Sequence, residues 1–350
     1  MAVNKVIYGG RTIMDVTEDT VTPETLAEGA TATNAKGERI LGMMKAGGSG
    51  KHTCRFIIGT STAGWTEADC DYLCDGTADD AEINAAIQAL PTGGGEICIL
   101  DGIYYITDMI LLNKTNITLM GNGAATVLQS GIQDSGFIMM RCMEDNCSVL
   151  RIKFTTDKII AAMLQVFNPE GVVNGIRVRD CIFKGSDTQY CIALTKAENT
   201  ILEGCGIDDN PQAASVALLG GTKNNIVRNN YAIHTSAYYG FLNIYSEGTH
   251  NQITGNYMLS IVMRRTCDSL IQSNIGPIRL GTGSAAPGNN KNNSITGNIV
   301  QNQDGTYAGL DVKYLSDSIV SGNIIKEIVP DTVERNNIIS DNVLMSTRTV

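Results

Sequence analysis

The sequence predicts an all-β chain wound into a solenoid, on three observations. A short phrase, an aliphatic residue followed three positions later by asparagine, keeps returning between Asn225 and Asn342: Val227-Arg228-Asn229-Asn230, Ile253-Thr254-Gly255-Asn256, Ile271-Gln272-Ser273-Asn274, Ile295-Thr296-Gly297-Asn298, Val320-Ser321-Gly322-Asn323 and Ile339-Ser340-Asp341-Asn342. The phrase continues upstream in weaker form at Leu119 to Asn122, Val178-Arg179-Asp180-Cys181 and Leu202-Glu203-Gly204-Cys205, with Leu150-Arg151-Ile152-Lys153 as an irregular member. The aliphatic positions then advance in steps of 31, 28, 24, 25, 26, 18, 24, 25 and 19 residues, a period that signals stacked coils, about ten rungs in all. Finally, aromatic residues make up only 5% of the chain while glycine occurs 37 times, which suits thin stacked coils better than a core packed around large rings.

In chain order, residues 1–45 read as a small separate module. Val6-Ile7-Tyr8 predicts a strand, Gly9-Gly10 a turn and Thr12-Ile13-Met14-Asp15-Val16 a returning strand. Thr22 to Gly29 predicts a helical turn or two, with Thr22 as N-cap, Pro23 at the first helical position and Gly29 as the stop. Arg39-Ile40-Leu41-Gly42-Met43 closes the module. So small a unit buries little apolar area and is expected to dock onto a partner or onto copies of itself. The segments Val6 to Thr12 and Gly37 to Met43 resemble the N-terminal module of tail and baseplate-associated proteins of phages and prophages of Gram-positive bacteria. That resemblance implies attachment to tail or baseplate proteins through residues 1–45. Residues 46–53, with Ala46-Gly47-Gly48-Ser49-Gly50, predict a flexible linker.

Residues 54–115 open the second domain. Cys54-Arg55-Phe56-Ile57-Ile58 predicts a strand. A helix follows over 79–90, with Asp79 as N-cap, Glu82 three residues on, and Ile83, Ala86, Ile87 and Leu90 on one face. Pro91 and Gly93-Gly94-Gly95 end it, and Glu96 to Leu100 and Ile103 to Ile106 predict strands around an Asp101-Gly102 turn. Asp75-Gly76-Thr77-Ala78-Asp79-Asp80, the helix with Ala85-Ala86-Ile87-Gln88, the glycine run and Asp101-Gly102-Ile103-Tyr104 resemble, in that order, the opening of pectate-lyase-like right-handed parallel β-helices. The resemblance implies a right-handed parallel β-helix over 116–350 whose first coil is covered by an amphipathic helix cap. It is nearly silent about chemistry, because the same opening precedes lyases, hydrolases, epimerases and inert spikes. Asp75, Asp79 and Asp80 lack the bidentate glutamate of a calcium loop.

In such a solenoid the aliphatic column points inward, and the Asn122, Asn230, Asn256, Asn274, Asn298, Asn323 and Asn342 column is expected to form a ladder of side-chain amides. Asparagine also tolerates the left-handed conformation that such turns need. Chemistry belongs to the outward column, which reads Met120, Arg151, Arg179, Glu203, Arg228, Thr254, Gln272, Thr296, Ser321 and Ser340. Glu203 between two arginines reads either as a charge ladder that relieves repulsion or as a groove holding an anionic sugar chain.

Hydrolysis of a glycosidic bond uses two carboxylates at a set separation. The catalytic candidates are Glu203 with Asp208 and Asp209 on the loop after it, and Asp187 occupies the matching loop one coil earlier. The densest aromatic run, Tyr238-Tyr239-Gly240-Phe241-Leu242-Asn243-Ile244-Tyr245, lies between His234 and His250 and reads either as a strand pair with alternate rings inside or as a sugar platform. Carbohydrate-binding candidates are therefore Arg179, Arg228, Tyr238 and Tyr245. Neither the calcium carboxylates and arginine base of the lyases nor the aspartate signature of polygalacturonases has a counterpart here.

No cofactor and no metal is expected: Cys70 to Cys74 and the Cys142/Cys147 pair lack a second Cys/His pair at zinc-like spacing. A formal charge of −10 and a pI near 4.8 argue against a nucleic-acid binder. The first residues lack an apolar signal core and no apolar run is long enough to span a bilayer, so no membrane partner is expected. The chain is expected to be made in a host cytoplasm with its ten cysteines as thiols, then built into a virion tail or tail-like particle. Resemblance to phage and prophage tail spikes implies a homotrimer that presents its solenoid to a bacterial surface polysaccharide. Two readings stay open, a structural or receptor-binding tail protein and a polysaccharide depolymerase (hydrolase or lyase) on the same scaffold. A surface adhesin is disfavoured by the lack of a secretion signal.

Overall fold

The computed structural model describes residues 3–26, 29–43, 54–185, 188–208, 214–233, 243–280, 289–302, 306, 308–329 and 335–345. Two compact units divide the chain, Met1–His52 and Thr53–Val350.

The first unit holds two hairpin-like pairs. Lys5–Tyr8 pairs antiparallel with Arg11–Asp15 across Gly9-Gly10, where both glycines have positive φ, 55° and 78°. A short 3-10 turn at Pro23–Thr25 follows Thr22, whose backbone N–H donates to Thr25 Oγ1 at 2.9 Å. Thr31–Thr33, not marked as a strand by its sequence, pairs antiparallel with Arg39–Leu41. Both strands of the first pair are exposed along their whole length.

The second unit is a right-handed parallel β-helix whose coils present three faces. The first face stacks the three-residue strands Arg177–Arg179, Ile201–Glu203, Ile226–Arg228, Gln252–Thr254, Leu270–Gln272, Ser294–Thr296, Ile319–Ser321 and Ile338–Ser340, all in parallel register. Round a tight turn, the second face carries Ile182–Lys184 and Gly206–Asp208 and continues to Val343–Leu344. The third is a sheet of ten strands that includes Asp134–Cys142, Ile160–Val166, Tyr190–Thr195, Ala214–Leu219 and Ser260–Cys267.

Rungs about 4.8 Å apart put equivalent side chains in contact. The inward column of the first face is Leu119, Val149, Val178, Leu202, Val227, Ile253, Ile271, Ile295 and Val320, all buried. Val149, not Leu150, holds the second rung's place. The slip follows from that rung's departure from the asparagine phrase, and it moves Arg151 out of the outward column into the turn, at φ 52°. On the second face the rings of Phe154 and Phe183 stack at 5.0 Å and 4°.

The helix spans Asp80–Ala89 and buries Ile83, Ala86 and Ile87, as the 3.6-residue period requires. Asp79 does not cap it with its side chain. Its oxygens instead accept from the Gly76 and Tyr105 N–H groups at 2.8 and 2.7 Å, which fasten the preceding loop and the strand Gly102–Tyr105 to the helix start. Asp80 similarly accepts from Thr107 N–H at 2.6 Å.

Asparagine forms two ladders. In the expected one, the Asn230, Asn256, Asn274, Asn298 and Asn323 amides each donate Nδ2 to the next rung's Oδ1 at 3.0, 3.0, 3.0, 2.9 and 2.9 Å, the last of them to Asn342. Each amide also bonds a strand carbonyl of the rung before, as Asn256 does with Val227. Cys181 and Cys205 continue the column upstream, their thiols donating to Val149 and Val178 carbonyls. Asn122 does not join: it is exposed and bonds Asp101 Oδ1 at 3.0 Å. Nor do the ladder asparagines adopt the left-handed conformation. That falls to the residue before each, Asn229, Gly255, Ser273, Gly297, Gly322 and Asp341, which frees the asparagine amide to turn inward. The second ladder, two residues before each aliphatic position, runs Thr200, Asn225, Asn251, Ser269, Asn293, Ser318 and Asn337, with each backbone N–H donating to the next side-chain oxygen at 2.9–3.1 Å.

Candidate functional site

Three-residue strands leave two side chains per rung outside, at the first and third positions. On the first face the third-position column reads Met120, Leu150, Arg179, Glu203, Arg228, Thr254, Gln272, Thr296, Ser321 and Ser340 in unbroken register. Glu203 sits between the two arginines: Oε2 is 3.2 Å from Arg179 Nε and Oε1 is 2.9 Å from Arg228 Nε. The latter contact is an ion pair without hydrogen-bond alignment, because the buried Arg228 Nε–H has no hydrogen-bond partner. The trio keeps one net positive charge. Its glutamate side chain is 17% exposed, and the two arginines are 51% and 42% exposed, so the guanidinium groups are what a ligand would meet.

Asp208 lies round the turn on the second face, opposite Lys184 and 3.2 Å from its Nζ. Glu203 and Asp208 are thus each matched by cations on neighbouring rungs. Of the other candidates, Asp187, Asp209, His234 and Tyr238 lie outside the described residues. Tyr245 is placed by its backbone between Ala217 and Val262 on the third face, and its side chain lies outside the description.

At the first-position edge of the same face, an open cleft of about 440 Å³ is lined by Asn224, His250, Asn251, Gln252, Asp268 and Leu270. Gln252 and Leu270 belong to the first-position column of the same face, in register with Ile226. Asn224, His250 and Asp268 project from left-handed turn positions with φ 56°, 56° and 50°. Sequence reasoning named His250 only as a flank of the aromatic run. The signal for the cleft was the second asparagine ladder, which pins the turn just before each first-position residue.

Cys74, Asp79 and Glu82 bring one potential ligand atom each within 4.8 Å of one another. Desolvation raises the Cys74 thiol well above its ordinary value and also raises the Asp79 carboxyl. Both Asp79 oxygens hold backbone N–H groups, so the cluster fastens the helix start. Burial likewise pushes the Cys147 thiol up to about 11 and the Cys142 thiol well above its ordinary value, which keeps these thiols protonated and poor nucleophiles at neutral pH.

No protein-family model matches the chain and no curated protein sequence matches it. Solved structures do. The A-module of a mannuronan C-5 epimerase from Azotobacter vinelandii is 14% identical with a TM-score of 0.50, over 78% of this chain and 97% of that one. The tailspike protein of E. coli bacteriophage HK620, solved as a mutant in complex with a pentasaccharide, is 15% identical with a TM-score of 0.54, over 77% of this chain. The match spans 62% of the tailspike's own length. PfbA, a surface adhesin of Streptococcus pneumoniae, is 16% identical with a TM-score of 0.50, over 75% of this chain and 78% of that one. The fold is that of the parallel β-helix proteins. An epimerase, a tailspike and an adhesin share this scaffold, so the shared coil carries no chemistry of its own.

Proposed function

We propose that the protein is a glycan-binding β-helix of the tailspike type, which presents the outer side of its first face to a bacterial surface polysaccharide. The observation that carries this reading is the continuity of that face. Arg179 and Arg228, held by Glu203, stand on the same stacked face as Gln252 and Leu270 of a cleft to which the preceding turns add amides, an imidazole and a carboxylate. Fixed guanidinium forks and amides recognise sugar carboxylates and hydroxyls. The tailspike solved with a pentasaccharide supports a saccharide ligand on such a scaffold.

In this reading residues 1–45 attach the molecule to a tail or baseplate, 46–53 act as linker, and 54–115 close the first coil of the helix. The assembly is a homotrimer carried on a virion tail or tail-like particle. The exposed apolar side chains of the first unit, among them Ile7, Tyr8, Ile13 and Met43, support a packing partner for it.

Binding is favoured over cleavage because Glu203 and Asp208 are each tied to cations and stand on different faces, whereas a glycosidase aims two carboxyls at one bond. The depolymerase reading keeps Glu203, Asp208 and Asp209 as its residues. One experiment separates the two. Purified protein is applied to a bacterial glycan array, and each bound glycan is then assayed for new reducing or unsaturated ends. Binding without new ends, reduced at least tenfold by Arg179→Ala with Arg228→Ala, supports the proposal. New ends that disappear in Glu203→Gln would replace it with the depolymerase, and an array with no bound glycan sinks both.

A further inference from the structure

The arginines of the described chain differ in what neutralises them. Arg55, Arg179, Arg228 and Arg265 each lie within 3.2 Å of a carboxylate oxygen. Arg141, on the third face, faces no carboxylate among the described residues. It is nevertheless half-buried, and desolvation pulls its guanidinium below the usual arginine range with no acidic neighbour opposing the shift.

What surrounds it is organised. Arg141 stands in register between Leu111 on the rung before and Gln165 on the rung after. Its Nε donates to Gln165 Oε1 at 2.8 Å, which turns the guanidinium plane and leaves its Nη edge for another acceptor. The guanidinium carbon lies 5.8 Å from the centre of the Phe167 ring. Gln165 spends its oxygen on Arg141, so its Nε2 remains a donor beside the same edge. A positive charge held partly out of water without a counter-ion is costly unless a ligand supplies one.

We propose that Arg141, Gln165 and Phe167 form a subsite, separate from the first face, for the carboxylate of an acidic sugar residue. The Nη edge would take the two carboxylate oxygens as a fork. Gln165 Nε2 would donate to a neighbouring ring or hydroxyl oxygen, and Phe167 would cover the apolar side of the pyranose. One guanidinium balances one carboxylate, whereas a phosphomonoester carries a charge of roughly −1.5 to −2 at neutral pH. The proposal takes its sugar class from the glycan-binding reading above and adds a place and a charge requirement to it.

The test is calorimetric titration of the full chain with oligogalacturonate and with the same oligomer methyl-esterified, at fixed ionic strength. Wild type is expected to bind the free acid at least tenfold more tightly than the ester. Arg141→Gln is expected to abolish that preference, and Arg141→Lys to restore it only in part, because lysine cannot present the fork. Far-ultraviolet circular dichroism and the urea midpoint check that the variants are folded. Equal binding of acid by wild type and Arg141→Gln overturns the subsite, as does a wild-type preference for the ester. If the protein binds neutral glycans on the array but neither oligogalacturonate nor any other uronate, the subsite is overturned and the glycan-binding reading stands. If nothing binds, both fall. Displacement by a glycerol phosphodiester but not by a free uronate would overturn the carboxylate assignment in favour of a phosphodiester anion.

Discussion

Glu203 shows how one residue can serve structure and display at once. Its two partners stand a rung before and a rung after, and both are more exposed than it is. Glu203→Gln is therefore expected to cost only about 1 kcal/mol, since exposed partners are screened by water, read as a lower urea midpoint with an unchanged slope. A second residue-scale prediction concerns Asp15 in the N-terminal unit. Lys5, then Thr17, hold its carboxyl down at about 2. Its contribution is present above the ordinary carboxylate range and is lost as pH falls through about 2. A carbon-13 titration of the Asp15 carboxyl should place its midpoint near there, and a midpoint near 4 would show that the pair does not form. Arg179, Glu203 and Arg228 were legible in the sequence because the asparagine phrase numbers their rungs. Arg141 was not, because it and its partners Gln165 and Phe167 lie on a third face that no repeated word marks.

Among the elements, the ladders separate asparagines that look alike on paper. Asn256 is buried and bonds Asn230, Asn274 and the Val227 carbonyl. Asn256→Ala leaves several of those groups buried and unpaired, at about 1–3 kcal/mol each, so a total loss near 4 kcal/mol is expected by chemical denaturation. Asn122→Ala, at an exposed asparagine outside the ladder, should stay within about 0.5 kcal/mol of wild type. The sequence made the first ladder visible through its phrase. The second was in view too, as Asn or Ser two residues before each aliphatic, but serine at 269 and 318 hid the period. The helix shows the opposite case. Its apolar face follows from spacing alone, while the work of Asp79 could not be read locally, since Tyr105 lies 26 residues away in the chain.

Taken whole, the molecule is a stack of parallel pairings between residues about two dozen apart, a topology that orders slowly because loop closure precedes each gain in contact. The stack is unequal along its length. The inward column, buried through Val320, reaches the surface at Ile339, which is 42% exposed, and Ile338 and Leu344 beside it are 60% and 61% exposed. Such a surface favours association. Ile338→Lys with Leu344→Lys should lower any concentration-dependent rise in sedimentation coefficient, and an unchanged profile would assign self-association to another surface.

The ladders also give the stack a polarity. Every described step runs the same way, with the backbone N–H of one rung donating to the side-chain oxygen of the next, and at the last described rung Asn323 N–H donates to Asn342 Oδ1 at 3.0 Å. Among the described residues the Asn342 N–H has no such acceptor. The direction is a property of the stack and is the same at each described step. One rung can therefore satisfy the next only in parallel and only with asparagine or serine in step, much as a fibril tip selects its next monomer.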